Sequence, residues 1–348
     1  MRIAVAMFVS LLWVCMATGA PACRELCPKV AMAWSIETAT IVVAHDGRVE
    51  GFDRSGEKRL WIANGLATPS AIVVSADGRS AAILDGFADC VAIVSIADGA
   101  VVLHETPGTP VAATFFGRDV WIALRDRNRV IRITPKGEKT EVAVALDPAL
   151  IGASDKFVYV YSRVHGLLQE IDPRSAEVTR NADVGSAGSD LEIQPPKRFE
   201  NPGPVAYLCR PMRGSIEFID LVKMESHEVH VGDAPVDLLF VRLGSKLSID
   251  PFTGVMADPG KQALLESKEP GTAKANVISL PAPVDRLFAA GAGLFALDSS
   301  SGTVYRIDGR NAMKIASGLT ATSFVPTDEA LFTWDAKSGR LHRETIGK

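Results

Sequence analysis

The sequence predicts an all-β fold, a single β-propeller of seven or eight four-stranded blades. Two observations support it. A phrase of two short strands and a polar turn recurs along the 348 residues, at intervals of about 40 residues where the chain is regular. Between these phrases the apolar stripe of a helix is missing, apart from one or two helical turns expected at 260–268. Small sheets of this kind bury their faces by packing around a common axis. A pair of β-sandwiches is the alternative, but it would not need a repeat of this length.

The recurring phrase is clearest in "IALRDRNRVIRITPKGEKTEV" (Ile122–Val142) and "FALDSSSGTVYRIDGRNAMKI" (Phe295–Ile315). Apolar and polar residues alternate within each short strand, which is the period of a strand with one buried face. The same shape begins again at Thr40, Ser80, Phe157, Val205 and Ala330.

A further strand precedes most of these hairpins and is often introduced by proline, as in "TPVAATFF" and "APVDLLFV". Proline suits the first residue of a strand because no ladder donor is lost there. Innermost strands are therefore expected near Ser70, Pro110, Ala149, Asp190, Pro235, Pro283 and Thr320, with an earlier unit at 35–66. This tally favours eight blades. Seven remains the alternative, because the stretch 243–276 is irregular and the two terminal segments of the chain could together form one blade that closes the ring.

The N-terminus has the pattern of a secretory signal peptide. An apolar run, Ile3–Ala17, is too short to span a bilayer, and Ala20–Ala22 resembles a cleavage site. A buried first helix is the alternative, but the run has no polar face. We expect an exported protein, periplasmic or extracellular, without a stable membrane span after signal removal. Lipoprotein anchoring at Cys23 is a second alternative. The expected segments are a signal peptide at 1–22, a lead segment at 23–34 and the propeller at 35–348.

Export would leave four cysteines, Cys23, Cys27, Cys90 and Cys209, in an oxidising compartment. Cys23 and Cys27 are close enough for a local bridge. Cys90 and Cys209 lie at predicted strand ends, where buried thiols are common. Their redox state stays open.

Nucleic acid, metal and cofactor sites are not indicated. The net charge is −4, and no basic block appears. His227 and His230 would lie on opposite faces of one strand, which makes them poor joint metal ligands. No hydrolase, zinc-protease or phosphate-loop motif is present.

Several segments resemble known propeller repeats. "VGDAPVDLLFV" (Val231–Val241), "SADGRS" (Ser75–Ser80) and "IDPRSAEV" (Ile171–Val178) resemble the YVTN-type repeat. "RVEGFDRSGEKRLW" (Arg48–Trp61) and "FTWDAKSGRL" (Phe332–Leu341) are similar to repeats of quinoprotein-type propellers such as amine dehydrogenase β chains. The resemblance covers most of the chain and implies a WD40-like superfold. It implies little about activity, because such repeats occur in dehydrogenase subunits, lactonase-like enzymes, periplasmic binding propellers and assembly factors.

Charged turns are expected around the mouth of the central channel. In a propeller, the turns between second and third strands share a face with the connections between blades. The aligned repeats place these basic side chains at that turn on one arc: Arg125, Arg127, Arg163, His165, Arg210 and Arg213. The same turn elsewhere carries Asp85, Asp89, Asp298 and Asp335. Converging arginines would bind a carboxylate or phosphate; the alternative is that these charges are solvated or paired with each other.

We expect a binding module rather than an enzyme, with an anionic small molecule or a partner protein bound at the channel mouth or at long loops. The loop-rich stretches 186–204 and 243–276 are the candidate loops, unless they are mere decoration. The alternative is a propeller enzyme, either a lactonase-like hydrolase or a quinoprotein-type oxidoreductase subunit. The hydrolase would need a metal or a His/Glu constellation, and the oxidoreductase a quinone cofactor or a partner chain. None of these is evident in the sequence.

Overall fold

The computed structural model describes residues 30–345 apart from 46, 67, 195–203, 242–252, 268–275, 291–292, 309–310, 320–322, 328 and 336–337. Within these ranges the fold is all-β, with two short 3-10 turns at Arg125–Arg127 and Pro211–Arg213. Neither turn has the length and apolar composition that a bilayer span requires, and the described residues contain no other helix.

The described strands form eight sheets, each a meander of strands consecutive in the chain. Blade 1 comprises β1 (Ala31–Ser35), β2 (Thr40–His45), β3 (Arg48–Asp53) and β4 (Arg59–Asn64). Blade 2 comprises β5 (Ala71–Val74), β6 (Ser80–Asp85), β7 (Cys90–Ser95) and β8 (Val101–Glu105). Blade 3 comprises β9 (Pro110–Phe116), β10 (Asp119–Leu124), β11 (Arg129–Ile133) and β12 (Lys139–Ala143). Blade 4 comprises β13 (Pro148–Ala153), β14 (Val158–Ser162), β15 (Leu167–Asp172) and β16 (Glu177–Asp183).

The second half of the chain repeats the pattern. Blade 5 comprises β17 (Asp190–Gln194), β18 (Val205–Arg210), β19 (Ser215–Asp220) and β20 (Glu225–His230). Blade 6 comprises β21 (Asp237–Val241), β22 (Thr253–Asp258), β23 (Ala263–Ser267) and β24 (Asn276–Ser279). Blade 7 comprises β25 (Arg286–Ala290), β26 (Gly293–Asp298), β27 (Thr303–Asp308) and β28 (Asn311–Ala316). In the described residues blade 8 has three strands, β29 (Phe324–Pro326), β30 (Ala330–Asp335) and β31 (Arg340–Thr345).

The innermost strands close into a ring. Each first strand contacts the first strand of the next blade, from β1 to β5 and onward to β29, and β29 in turn contacts β1. The protein is therefore an eight-bladed β-propeller, as the repeat predicted, and the blade count that the sequence left open is eight.

The core is a series of apolar clusters between neighbouring blades. Phe332 and Trp334 of blade 8, for example, pack against Ile41 and Val43 of blade 1. Second strands are buried along almost their whole length because a blade lies against each of their faces; the pattern of Val158–Ser162 is fully buried. A buried aliphatic or aromatic side chain contributes about 1.5–3 kcal/mol. The ring is thus held together by its blade-to-blade interfaces.

Two expectations about irregular segments were wrong. We expected helical turns at 260–268, but Ala263–Ser267 is strand β23, paired with β22 and β24. Leu264 and Leu265 are both buried, because both faces of this strand are covered, and such a strand has the same apolar run as a short helix. The stretch 243–276 also contains β22, whereas β17, within 186–204, is the innermost strand expected near Asp190. The candidate loops that remain, 195–203, 242–252 and 268–275, lie outside the described residues.

The predicted signal peptide at 1–22 and Cys23 and Cys27 also lie outside the described residues. The ring already begins at Ala31, inside the segment that we expected to lead into it. Cys90 and Cys209 are free and buried. Burial raises the pKa of the Cys90 thiol, and it raises the pKa of the Cys209 thiol further.

Candidate functional site

One face of the ring carries both the blade connections and the turns between second and third strands; we call it the mouth face. The two kinds of segment are bonded to each other there. The amide of Thr109, in a connection, donates to Asp126 Oδ1 in a turn at 2.7 Å, and the amide of Thr68 donates to Asp85 Oδ2 at 2.6 Å. Hydrogen bonds of this kind hold each turn against the connection that enters its blade.

The turns of blades 2 to 8 end in the same way. In each of them the residue just before the third strand has the left-handed conformation, which ends the turn at the same point in these seven blades. The residues with this positive φ are Asp89, Asn128, Gly166, Gly214, Gln262, Gly302 and Gly339. Positions can therefore be compared from blade to blade.

Arg210, predicted to help bind an anion, faces inward. Its side chain is buried, and its Nη1 lies 3.2 Å from Glu217 Oε2 and 3.8 Å from Glu228 Oε1. The guanidinium lies under Gly185, where an added Cβ would come within 2.5 Å of Nη2. Gly185 has φ +73°, which favours glycine, and a Cβ there would displace the Arg210 guanidinium. The charge of Arg210 is thus neutralised within blade 5.

Arg125 and Arg163 remain at the surface. The Nε of Arg125 lies 3.4 Å from Asp147 Oδ1, and half of the arginine side chain is exposed. Arg163 and His165 are exposed in the turn of blade 4, and the side chain of Arg163 forms no ion pair with the residues that the structure describes. Arg125 and Arg163 are available to a ligand, whereas Arg210 is not.

Arg163 and Arg210 lie close enough to affect the phenol of Tyr161. Burial raises the pKa of Tyr161, while the amide of Gly188 and then Arg163 and Arg210 oppose the rise. The Tyr161 hydroxyl donates to Gly185 O at 3.0 Å and accepts from Gly188 N at 2.9 Å. Tyr161 thereby ties the connection between blades 4 and 5 to the core.

The predicted acidic residues Asp298 and Asp335 organise their own turns. Ser300 Oγ and Ser301 Oγ donate to Asp298 at 2.5 and 2.6 Å. Burial alone would raise the pKa of Asp298, but these hydroxyl donors and two backbone amides outweigh it and hold the pKa below its usual value. Ser338 Oγ donates to Asp335 Oδ2 at 2.6 Å, and His342 Nε2 lies 3.8 Å from the same oxygen.

The mouth face also exposes large apolar side chains, which the sequence analysis did not single out. Phe87 is 82% exposed, Met212 80% and Val164 58%. They occupy the same position, the second residue of the four-residue turn, in blades 2, 5 and 4. The corresponding residue is Asp126 in blade 3, Gly260 in blade 6 and Ser300 in blade 7. We call Phe87, Val164 and Met212 the apolar tips.

The apolar tips are not needed for folding. Their side chains contribute little to the core because most of their surface is in water, and Gly260 and Ser300 serve in turns of the same shape. Turn positions of this kind are usually polar. Apolar tips on blades 2, 4 and 5, with arginines in the turns of blades 3 to 5, have the composition of a protein-binding surface.

A second group of residues lies in the channel. The inner-strand residues Asp190, Asp237 and Arg286 are equivalent, since each pairs with the penultimate residue of its second strand. The same position is Ala31 in blade 1 and Ala71 in blade 2. Charge therefore occupies one arc of the channel wall, formed by blades 5 to 7.

Each aspartate of this arc also joins two blades. The amide of Leu238 donates to Asp190 Oδ2 at 2.9 Å, and the amide of Leu287 donates to Asp237 Oδ2 at 2.6 Å. Burial raises the pKa of Asp190 and of Asp237, and each aspartate hydrogen-bonds to the other while Arg286 opposes the rise. Burial raises the pKa of Glu192, two residues along β17, to about 8, and both aspartates add to this effect. The pair can hold a shared proton near neutral pH.

The sequence contained a signal for this arc that our alignment did not use. "SDLEI" and "VDLLF" begin two consecutive inner strands with an aspartate, and "VDRLF" places an aspartate directly before the third, β25. Among the described residues no group of three His, Cys, Asp or Glu side chains has the geometry of a metal site. The hydrogen bonds of Asp190 and Asp237 to the next blade make the channel carboxyls a group that links the blades.

Comparison with known proteins supports the fold. No protein-family model matches the chain, and no curated protein matches it. Sqt1 from Saccharomyces cerevisiae is similar in structure, with a TM-score of 0.70 and 11% identity, over 92% of this chain and 97% of that one. BamB from Moraxella catarrhalis has a TM-score of 0.63 and 12% identity, over 90% and 96%. Virginiamycin B lyase from Staphylococcus aureus has a TM-score of 0.60 and 15% identity, over 80% and 95%.

At these identities the likeness establishes the β-propeller fold alone. Membership of the YVTN or quinoprotein families stays a prediction from the sequence.

Proposed function

We propose that this chain is an exported propeller that binds a partner protein on its mouth face, over blades 2 to 5. The observation that supports the proposal is the set of apolar tips, Phe87, Val164 and Met212, at one position of equivalent turns. Burying them against a partner would remove apolar surface from water at roughly 25 cal/mol per Å². Leu146, 46% exposed in the connection between blades 3 and 4, extends the same surface.

The scaffold beneath the apolar tips is rigid, which favours binding because little order has to be gained. Tyr161 and Arg210 fix the connection between blades 4 and 5 from below. Asp126 fixes the entry to blade 3. A partner would therefore meet turns whose positions are set by the fold.

Ligand binding or catalysis in the channel is the second candidate. The observation that favours it is the carboxyl group of Asp190, Glu192 and Asp237, whose raised pKa values are of the kind that occur at functional sites. An enzyme on this fold has precedent in the name of the similar virginiamycin B lyase. The blade-joining hydrogen bonds of both aspartates give this group a structural role as well, so we rank it second.

Photo-cross-linking in the producing cells tests the docking proposal. A photoreactive phenylalanine analogue would replace Phe87, Val164 or Met212 in turn. Val222 is the matched control. Its side chain is 57% exposed, against 58% for Val164, but it lies in a turn on the opposite face of the ring. Ser300, in the equivalent turn of blade 7, is the control for a position on the mouth face outside blades 2 to 5.

We expect the same cross-linked protein from all three apolar tips and none from Val222 or Ser300. Absence of an adduct at all three tips, or an identical set of adducts at Val222, would refute the proposal.

A further inference from the structure

We infer that the partner presents an acidic, apolar segment to the mouth face: apolar side chains against Phe87, Val164 and Met212, and carboxylates against the arginines between them. This inference rests on the proposed function and names the chemistry of the partner.

Arginines lie in two of the three turns that carry the apolar tips, those of Val164 and Met212, and in the turn of blade 3. The four turns of blades 2 to 5, at 86–89, 125–128, 163–166 and 211–214, contain four arginines and two aspartates. Arg163 stands next to Val164, and Arg213 stands next to Met212. The cationic groups and the apolar surface therefore form one surface, and a partner would contact both.

The arginines are held loosely. Arg213 Nη1 lies 3.3 Å from Glu228 Oε2, and Arg127 Nε lies 3.8 Å from Asp126 Oδ2, with 60% of each arginine side chain exposed. Exposed pairs of this kind contribute at most about 1 kcal/mol. Arg163 has no pair at all among the described residues. A carboxylate of the partner can therefore replace these contacts at little cost and accept two parallel hydrogen bonds from a guanidinium.

A protein segment fits this surface better than nucleic acid or a membrane does. Phe87 is the one apolar tip with an aromatic face on which a base could stack, and Val164 and Met212 have none. Asp89 and Asp126 occupy the same turns as the arginines, so phosphates or anionic headgroups would meet carboxylates at the same level. A folded segment with apolar and acidic side chains can instead match each group separately.

The test combines the cross-linker at position 212 with charge reversal. In the variant Arg163→Glu/Arg213→Glu we expect the yield of the Met212 adduct to fall by roughly tenfold or more, because like charges would then face the partner's carboxylates. The control is Arg174→Glu, an exposed arginine in a turn on the opposite face, which should leave the yield unchanged. Sequencing of the cross-linked peptide by mass spectrometry should find Asp or Glu interspersed with apolar residues.

The outcomes separate the two proposals. An adduct whose yield is unchanged by the double reversal, or whose peptide is basic, overturns the inference and leaves the proposed function standing. No adduct from any apolar tip refutes the proposed function itself. A parallel sedimentation assay uses vesicles of phosphatidylglycerol and phosphatidylcholine. Binding that requires Arg163 and Arg213, without any protein adduct, would assign the surface to membranes and overturn both proposals.

Discussion

Replacing Glu192 by glutamine should stabilise the propeller at alkaline pH and leave it unchanged at acidic pH. The folded pKa of Glu192 is about 8, above its usual value of 4.5, so the folded chain holds a proton that the unfolded chain releases between these values. The stability of the wild type therefore falls as the pH rises through this window. Glutamine matches the protonated carboxyl in shape and cannot become charged.

The magnitude follows from the pKa. A rise from 4.5 to about 8 corresponds to roughly 5 kcal/mol at 1.36 kcal/mol per pKa unit. Glu192 is half-buried, so we discount this figure for solvent screening to about 2 kcal/mol. Glu192→Gln should then gain about 2 kcal/mol over the wild type at about pH 8.5 and nothing at about pH 5.

Urea unfolding at the two pH values measures this difference. The control is Glu177→Gln, an exposed glutamate at the start of β16, which should have no effect at either pH. Equal stability of Glu192→Gln and the wild type at about pH 8.5 would show that the channel carboxyls are ordinary solvated groups, and the argument from burial would fail.

Three further predictions concern the elements that support the mouth face. Arg210→Ala should lower the free energy of unfolding by about 3 kcal/mol in urea titration, because it leaves Glu217 buried without its cation; a loss below about 1 kcal/mol would mean that the pair is solvated. Gly185→Ala should lower the melting temperature by more than Gly117→Ala. Both glycines have positive φ, but only a Cβ at 185 meets a neighbour, Arg210, whereas a Cβ at 117 meets nothing within 4 Å. Cys209 should resist iodoacetamide at about pH 8 until the protein is unfolded, because burial raises the pKa of its thiol; rapid labelling of the native protein would contradict the buried position.

The fold could be predicted from the sequence because its signal is local. A hairpin phrase recurs along the chain, and a strand that is often introduced by proline precedes most of its copies; neither needs knowledge of distant contacts. The blade count was harder because the strands of blade 6 do not alternate. Val255 to Asp258 in β22 are all buried, since neighbouring blades cover both faces of the strand, and a continuous apolar run does not identify a strand.

The candidate site was less predictable because its properties depend on contacts between blades. The repeat indicates that Arg210 lies near a turn, but its inward direction depends on Glu217 and on the absence of a side chain at Gly185. The charged arc of the channel wall could not be predicted in full from the sequence either. The repeated "APVD" aligns Asp285 with Asp237, yet the pairing of β25 puts Arg286 at that position.

The sequence shows Phe87, Val164 and Met212 as apolar residues, but it does not predict that they lie together on one face of the ring. Phe87, Val164 and Met212 lie in segments that alignment alone treats as variable turns. Their shared position became evident only from the left-handed residue that ends each turn. Their exposure could not be inferred from the sequence, because large apolar residues are more often buried than exposed.

The most direct test of the docking face is the affinity of the purified partner, once cross-linking has identified it. The measurement is the Kd, by calorimetry, for the wild type and for the variant Phe87→Ser/Val164→Ser/Met212→Ser. We predict binding weaker by roughly 100-fold or more in the variant, as for residues at the centre of an interface, and no change in the control Val222→Ser. An unchanged Kd in the triple variant, with the protein folded, would contradict the assignment of the mouth face as the binding surface.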